Sequence, residues 1–159
     1  MKTVIIIPAR YSSTRYPGKP LVELRTKEGK KSLIQLSWEA ANKVSGISEI
    51  YVATDDKRIE EHALNFGAKV IQTSSKCRNG TERCAEAVSN AGLDAEIIVN
   101  IQGDEALVNP EYIDKVANVL IENPDVNVGI LVNSFSKKNS PSDIKVVLNQ
   151  NNDVMYLSR

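Results

Sequence analysis

The sequence predicts an α/β fold in which a largely parallel sheet is flanked by helices. The chain opens with a β-branched run at residues 4–7, which has the length and composition of a strand buried on both faces. Strand-like and helix-like segments then alternate along the 159 residues, and several helical segments end at a glycine. Such alternation is typical of βαβ units, whose strands are parallel and whose crossovers are right-handed.

The elements follow one another in a regular order. Pro8 is expected to end the first strand, because proline cannot donate to a sheet ladder. Ser32 and Gln35 predict a capping box for a helix that ends at Gly46. Three further helices are predicted: one that ends at Gly67, one that spans 81–91 and one that starts at Pro110. Further strands are predicted at 49–53, 69–72, 96–101, 126–134, 144–148 and 154–157.

Helical periodicity also predicts which side chains face the core. These are Leu33, Leu36, Ala40 and Val44 in the first helix, Ile59, Ala63 and Phe66 in the second, Cys84, Ala87, Val88 and Ala91 in the third, and Tyr112, Ile113, Val116 and Leu120 in the fourth. The basic insert at 25–31 and the polar segment at 136–142 are expected to be surface connections.

Composition limits the classes of function. The length predicts a single domain over residues 1–159. Basic and acidic residues number 20 each, so the net charge is zero, which argues against a general nucleic-acid surface. No signal-peptide layout or membrane-length apolar stretch is seen. Cys77 and Cys84 lack a disulfide or metal spacing and are interpreted as reduced thiols of a cytoplasmic protein.

The loop after the first strand is the leading candidate for a phosphate site. It contains Arg10, Arg15 and Lys19, and no acidic residue precedes Glu23. Hydroxyl groups such as that of Ser13 and a Pro-Gly turn add hydrogen-bond donors for a polyphosphate. The alternative is a solvated basic loop, but ligands collect at the carboxyl ends of strands in α/β folds. Neither a Gly-x-Gly turn nor a Walker loop is present.

Two other segments are candidate sites. Asp104 and Glu105 follow a glycine at a predicted strand end and could present oxygen ligands to Mg²⁺; a turn with a helix-capping aspartate is the alternative. Residues 79–83 form either a functional turn or only a helix N-cap. His62, the only histidine, is assigned a solvated or capping role, since no catalytic triad pattern surrounds it.

Five stretches of the sequence together resemble one known family. They are residues 6–11 with 15–21, residues 52–55, residues 80–83, residues 99–105, and residues 145–148 with 156–159. In this order they strongly resemble the 3-deoxy-manno-octulosonate cytidylyltransferases, or CMP-Kdo synthetases. The resemblance implies a Rossmann-like nucleotide-sugar transferase fold and transfer of CMP from CTP to Kdo, with release of pyrophosphate. It also implies a homodimer that serves lipopolysaccharide or capsule synthesis.

The resemblance also implies roles for individual residues. Arg10 and Lys19 would contact the triphosphate, with Arg15 and Ser13 in the same loop and the Ala9 backbone near the cytosine. Gly80 and Thr81 look like the base-recognition turn. Asp104 looks like a magnesium carboxylate, and Gln102 like a residue that faces the sugar acid. Arg10, Lys19 and Asp104 would then be the catalytic groups, through positioning and charge neutralisation.

Two departures from the family pattern leave alternatives open. Ala106 stands where a proline is expected. Family members also continue beyond the position of Arg159, and that part supplies much of the sugar pocket, the dimer contact and a second metal-binding aspartate. The chain therefore resembles a truncated or shortened member. The alternatives are a cytidylyltransferase for another acidic sugar, such as a sialic or legionaminic acid, and a non-catalytic CTP-binding or interaction module.

Overall fold

A computed structural model describes residues 1–12, 16–134 and 143–158. The chain divides into two compact units, Met1–Gly129 and Ile130–Arg159. Its elements in chain order are β1 (Thr3–Ala9), a short 3-10 helix (Lys19–Leu21), β2 (Glu23–Thr26), β3 (Gly29–Ser32), α1 (Leu33–Ala41), β4 (Ile47–Thr54), α2 (Lys57–Asn65), β5 (Lys69–Gln72), α3 (Gly80–Ala91), β6 (Ile97–Asn100), α4 (Pro110–Glu122), β7 (Lys145–Leu148) and β8 (Val154–Ser158).

The larger unit is built on a parallel sheet, which confirms the predicted fold class. The strand order is β5-β4-β1-β6, and all three neighbouring pairs run parallel. All seven residues of β1 are buried, as the continuous apolar run predicts. One helix, α3, packs on the face that carries Val4 and Ile6, whereas residues of α1, α2 and α4 pack on the face that carries Ile5 and Ile7. The result is a helix–sheet–helix arrangement.

The prediction that Pro8 ends the first strand is wrong. β1 continues through Ala9, which pairs with Thr54 of β4. On the other side, pairing with β6 stops at Ile6, whose carbonyl accepts from the Ile101 N–H. Alternate residues of a strand direct their backbone groups to the same neighbour, so Pro8 faces the β6 side, beyond the paired residues. The strand therefore accommodates a proline without losing a ladder hydrogen bond.

Two other sequence predictions differ from the structure. The insert at 25–31 is not a simple connection, because β2 and β3 pair there as an antiparallel hairpin. Residues 126–134 do not form a strand, and Val128 in this segment is 75% exposed. β-branched composition favours a strand, but a strand also requires a hydrogen-bonded neighbour, and this segment is in no sheet of the described residues. The polar segment 136–142 lies outside the described residues.

The smaller unit contains the two remaining strands. β7 and β8 pair antiparallel, which confirms strands near 144–148 and 154–157. Many of their apolar side chains are exposed, including Met155 and Tyr156. In the described part of the chain, no helix combines the length and the apolar character that crossing a bilayer requires.

The buried faces of the helices are close to the predicted ones but rotated in places. In α4, Ile113 and Ala117 are buried while Tyr112 is exposed. In α1 the buried residues are Ile34, Ser37, Ala40 and Ala41 rather than Leu33 and Leu36. Ala91 at the end of α3 is exposed. Helical periodicity alone places the apolar stripe only to within about one residue, because neighbours in the fold decide which edge is covered.

Ser32 joins the start of α1 to α2. Its hydroxyl oxygen accepts from the Gln35 N–H at 3.2 Å, which confirms the predicted N-cap. The reciprocal half of the capping box is not formed, since the Gln35 side chain donates to Glu39 instead. His62 Nε2 lies 2.7 Å from the Ser32 hydroxyl, so the hydroxyl can donate to the ring while it accepts from Gln35. His62 is therefore half-buried rather than solvated, and it supports the N-cap of α1 instead of capping a helix itself.

We expect Ser32→Ala to lower the free energy of unfolding by about 1–2 kcal/mol, because it removes both a helix cap and the partner of His62. Urea denaturation measures the change. Ser89→Ala, an exposed position within α3, is the matched control and should leave stability nearly unchanged. Equal stabilities for the two variants would contradict the assigned role of Ser32.

Candidate functional site

Two adjoining cavities lie beyond the carboxyl ends of β1 and β6. The larger has a volume of about 520 Å³, and its lining includes Ala9, Arg10, Lys19, Gln102 and Asp104. The smaller, of about 210 Å³, is lined by Pro8, Ala9, Arg10, Cys77, Arg78, Asn79, Gly80, Arg83 and Gln102. Four residues, Pro8, Ala9, Arg10 and Gln102, line both. Together the cavities form one site at the sheet edge where ligands bind in α/β folds.

The described ends of the first loop are joined to each other and to the start of α2. The Gly18 N–H donates to the Tyr11 carbonyl at 2.8 Å, which closes the loop. Gly18 has φ +70°, and a Cβ there would lie 2.9 Å from the Tyr11 ring. The Arg58 guanidinium stacks 3.3 Å from the centre of the same ring. Arg58 also pairs with Asp56, the N-cap of α2, and this hydrogen bonding lowers the pKa of Asp56. Gly18 then leads directly into Lys19.

An ion pair joins two segments that the sequence marks as separate candidate sites. Lys19 Nζ contacts Asp104 Oδ2 across the larger cavity. Both side chains are partly exposed, at 49% and 38%, so the pair is accessible to a ligand. The adjacent Glu105 is exposed as a residue, but partial desolvation of its carboxyl group, and then the charge of Asp104, raise the pKa of that group. The cleft therefore holds cationic and anionic groups in contact.

The third segment is both a helix cap and a cavity wall. Asn79 accepts from the Glu82 N–H at 2.9 Å, and Glu82 in turn accepts from the Arg78 N–H at 2.8 Å. This confirms the N-cap interpretation of residues 79–83. Gly80, the first residue of α3, faces the sheet so closely that a Cβ would lie 3.1 Å from Pro8 Cγ and 3.3 Å from the Gln102 amide. A side chain at this position would fill the smaller cavity.

Arg83 lies in the candidate segment 79–83, but the sequence reasoning assigned it no role. Its side chain is only 4% exposed, donates to the Thr73 hydroxyl and lies 3.0 Å from Asp55 Oδ1. The distance defines an ion pair, although the angle is not that of a hydrogen bond, so we interpret the Asp55 contact as mainly electrostatic. One signal was available: Arg83 lies four residues before Ala87, on the apolar face of a predicted helix. A charge at such a position requires a buried partner.

The two thiols are protonated at neutral pH. Cys77 donates from Sγ to Glu86 at 3.0 Å; burial first, and then this carboxylate, raises the pKa of Cys77. Burial raises the pKa of Cys84 to about 12. Both cysteines are free. Since the thiolate is the reactive form, neither is suited to act as a nucleophile.

Most of the predicted site residues come together. Ala9, Arg10, Lys19, Gln102 and Asp104 line the larger cavity, and Gly80 lines the smaller one. Thr81 is exposed and lines neither. Ser13 and Arg15 lie outside the described residues. Within those residues, no three His, Cys, Asp or Glu side chains are grouped as a metal site. Asp104 alone is suited to Mg²⁺ only if phosphate and water oxygens complete the coordination shell.

Comparison with known proteins identifies similar sequences over nearly the whole chain. The family model described as cytidylyltransferase matches residues 4–159. An Arabidopsis thaliana protein named 3-deoxy-manno-octulosonate cytidylyltransferase, mitochondrial, is 43% identical over 99% of this chain and 54% of its own length. A Shewanella pealeana protein named 8-amino-3,8-dideoxy-manno-octulosonate cytidylyltransferase is 37% identical over 100% of this chain and 65% of its own length.

A solved structure agrees with the sequence matches. CMP:2-keto-3-deoxy-manno-octonic acid synthetase complexed with CTP superimposes with a TM-score of 0.83 at 34% identity, over 99% of this chain and 64% of that chain. The predicted nucleotide-sugar transferase fold is therefore confirmed by its similarity to this enzyme structure. The chain spans between about half and two thirds of the length of these relatives.

We expect Gly18→Ala to destabilise the protein by about 2–4 kcal/mol, through a left-handed backbone and overlap with the Tyr11 ring. Gly46→Ala is the matched control, because Gly46 has φ +68° but no atom within 4 Å of a Cβ. Its expected cost is only about 1 kcal/mol, from the backbone alone. Chemical denaturation of both variants measures the difference. Equal losses would show that the contact between Gly18 and Tyr11 does not fix the loop.

Proposed function

The chain belongs to the cytidylyltransferase family, and we propose that it binds CTP in the cleft and transfers CMP to Kdo. The observation that carries the proposal is the meeting of Arg10, Lys19 and Asp104 in one cavity, next to a smaller cavity walled by Gly80. The product would be CMP-Kdo, a precursor for lipopolysaccharide or capsule, and pyrophosphate would be released. The similar enzyme structure with CTP supports the same choice of nucleotide.

The proposed reaction requires alignment more than covalent chemistry from the protein. The anomeric hydroxyl oxygen of Kdo would attack the α-phosphorus of CTP, while the bond from that phosphorus to the oxygen bridging to the β-phosphate breaks. Pyrophosphate leaves with that oxygen, and the hydroxyl proton passes to solvent. Arg10 and Lys19 would neutralise charge on the triphosphate, and their fixed positions would reduce the cost of orienting it. No nucleophilic side chain is needed, in agreement with the protonated thiols.

Asp104 would hold Mg²⁺ in the loaded site. One carboxylate with phosphate and water oxygens is a usual donor set for this ion, so the residues present fit it. When bound, the ion would neutralise charge on the triphosphate and help to orient the triphosphate. The pair between Lys19 and Asp104 must first open: Lys19 would turn to a phosphate, which frees the Asp104 oxygens. Magnesium and triphosphate would thus be bound together rather than separately.

The other residues have proposed places along the same ligand. The Ala9 backbone and Gly80 would contact the cytosine in the smaller cavity, and Gln102 would face the sugar acid. Thr81 lines neither cavity and is left without this contact. Arg15 and Ser13 would assist Arg10 in holding phosphate.

A homodimer and a cytoplasmic location are further proposals. The reduced thiols support that location, although the name of the Arabidopsis relative includes the mitochondrion.

Two alternatives differ from this proposal in the acceptor or in turnover. The Shewanella relative is named for an 8-amino sugar, so another acidic sugar, including a sialic or legionaminic acid, is a second candidate for the acceptor. The other alternative is a CTP-binding module without turnover. Calorimetric titration with CTP, followed by turnover with a panel of sugar acids, separates the three cases. No binding of CTP would overturn the proposal.

We expect Lys19→Ala to weaken CTP binding by about 1.5 kcal/mol, roughly tenfold in Kd, which is the lower end for a hydrogen bond to a charged group because Lys19 is half exposed. Isothermal titration calorimetry measures the change. Lys57→Ala, at an exposed position of α2, is the charge-matched control and should bind CTP like the parent. Parental affinity in Lys19→Ala would remove Lys19 from the triphosphate site.

We expect Asp104→Asn to abolish the effect of Mg²⁺ on CTP binding. Without the ion, the substitution removes a negative charge facing the triphosphate and releases Lys19, so Kd in EDTA should improve by roughly threefold. With Mg²⁺, the variant should gain no further affinity, whereas the parent should. Asp125→Asn, an exposed position, serves as the control. An undiminished magnesium effect in Asp104→Asn would show that the ion is held elsewhere.

A further inference from the structure

We infer that Arg83 is a positioning residue for the nucleobase: its buried guanidinium holds the first turn of α3, and with it Gly80, at a fixed distance from the sheet. The inference rests on the proposed function, since the base is that of CTP. Arg83 lines the smaller cavity together with Gly80 and Pro8. Arg78 also lines the cavity, but its side chain is 86% exposed and pairs with Glu82 at the surface, whereas the Arg83 side chain is only 4% exposed.

The guanidinium connects α3 to the ends of two strands. Asp55, 3.0 Å from Nη2, follows β4 directly, and Thr73, which accepts from Nη1, follows β5 directly. These two anchors are fixed to each other, because the Thr73 N–H donates to the Thr54 carbonyl at 2.9 Å and extends the pairing of the strands. Arg83 therefore transfers the rigidity of the sheet edge to the start of the helix.

The cavity is sensitive to small movements of that helix start. Gly80 has no side chain, and a Cβ added there would lie 3.1 Å from Pro8 Cγ and 3.3 Å from the Gln102 amide, so the start of α3 has little spare room against these two residues. Pro8 lies in an internal strand and is paired with Ala53, so the sheet fixes its position. An outward shift of α3 would widen the cavity that Gly80, Pro8 and Gln102 line, and would loosen a flat ring held in that cavity. The spacing consequently depends on what anchors α3.

The planar fork of arginine suits this task. It directs two donors to two partners in one plane, whereas the single ammonium of lysine can satisfy one of them well. The buried charge is matched by Asp55, whose side chain is 19% exposed. Removing Arg83 alone would leave that carboxylate without its counter-charge, which destabilises a fold. A test must therefore separate loss of the fold from loss of base binding.

The experiment compares two probes in the full chain: CTP, and inorganic tripolyphosphate, which lacks the base. The variants are Arg83→Lys, Thr73→Val, which removes one partner and no charge, and the double variant Arg83→Met with Asp55→Asn, which removes both charges. Arg25→Met, at an exposed position of the hairpin, is the control. Circular dichroism and urea denaturation confirm folding, and calorimetry gives both dissociation constants.

We expect roughly a tenfold loss of CTP affinity in Arg83→Lys and in the double variant, a several-fold loss in Thr73→Val, and tripolyphosphate affinity within about twofold of the parent. Folded variants with parental CTP affinity would overturn the inference, as would equal losses for both probes. If the Arg83 variants do not fold, the CTP and tripolyphosphate affinities of Thr73→Val test the inference by the same criteria. A parent chain that binds tripolyphosphate but not CTP overturns the proposed function itself, and the inference with it.

Discussion

Complete burial of β1 in the middle of a parallel sheet is the constraint on which the rest of the structure depends. Its apolar side chains alternate between two helical layers, and each fully buried isoleucine contributes about 2 kcal/mol. The half-exposed pair of Lys19 and Asp104 contributes at most about 1 kcal/mol. The core, and not the charges, therefore decides where the site residues lie. Because the strands are parallel, the segments after β1, β4, β5 and β6 all reach the same edge.

The sequence predicted local features well and features that depend on distant neighbours poorly. Buried β1 and the caps Ser32 and Asn79 follow from short-range chemistry, and β5 matches its predicted bounds. Pro8 and the segment 126–134 were misjudged because strand limits depend on which neighbour is present. The meeting of Arg10, Lys19 and Asp104 was predictable from strand order. The contact of Arg83 with Asp55 was not, since it needs the register of α3 on the sheet.

The pairing of Lys19 with Asp104 has a consequence for how the cleft receives a highly charged ligand. An isolated carboxylate facing the cavity would repel a triphosphate, and an isolated lysine would attract any anion. Because Lys19 and Asp104 are paired, their charges nearly cancel at the cavity. The whole chain likewise has a formal net charge of zero. A ligand that brings both anionic phosphate and a divalent cation can replace the pair with two favourable contacts. In the proposed complex, a phosphate without the cation would gain one contact and lose the other, so the pair would favour the metal-bound nucleotide.

The two halves of the site differ in rigidity, and this difference matches what each would have to recognise. On the phosphate side, the groups are long, partly exposed side chains such as Lys19, which can rearrange around a flexible ligand. On the side of the smaller cavity, the wall is formed by Pro8 in the central strand, by Gly80 without a side chain, and by the buried Arg83. A rigid wall rejects a base of the wrong shape, because it cannot adjust without breaking core contacts. Both halves would then contribute to affinity for CTP, whereas selectivity among nucleotides would come from the part of the site that cannot rearrange.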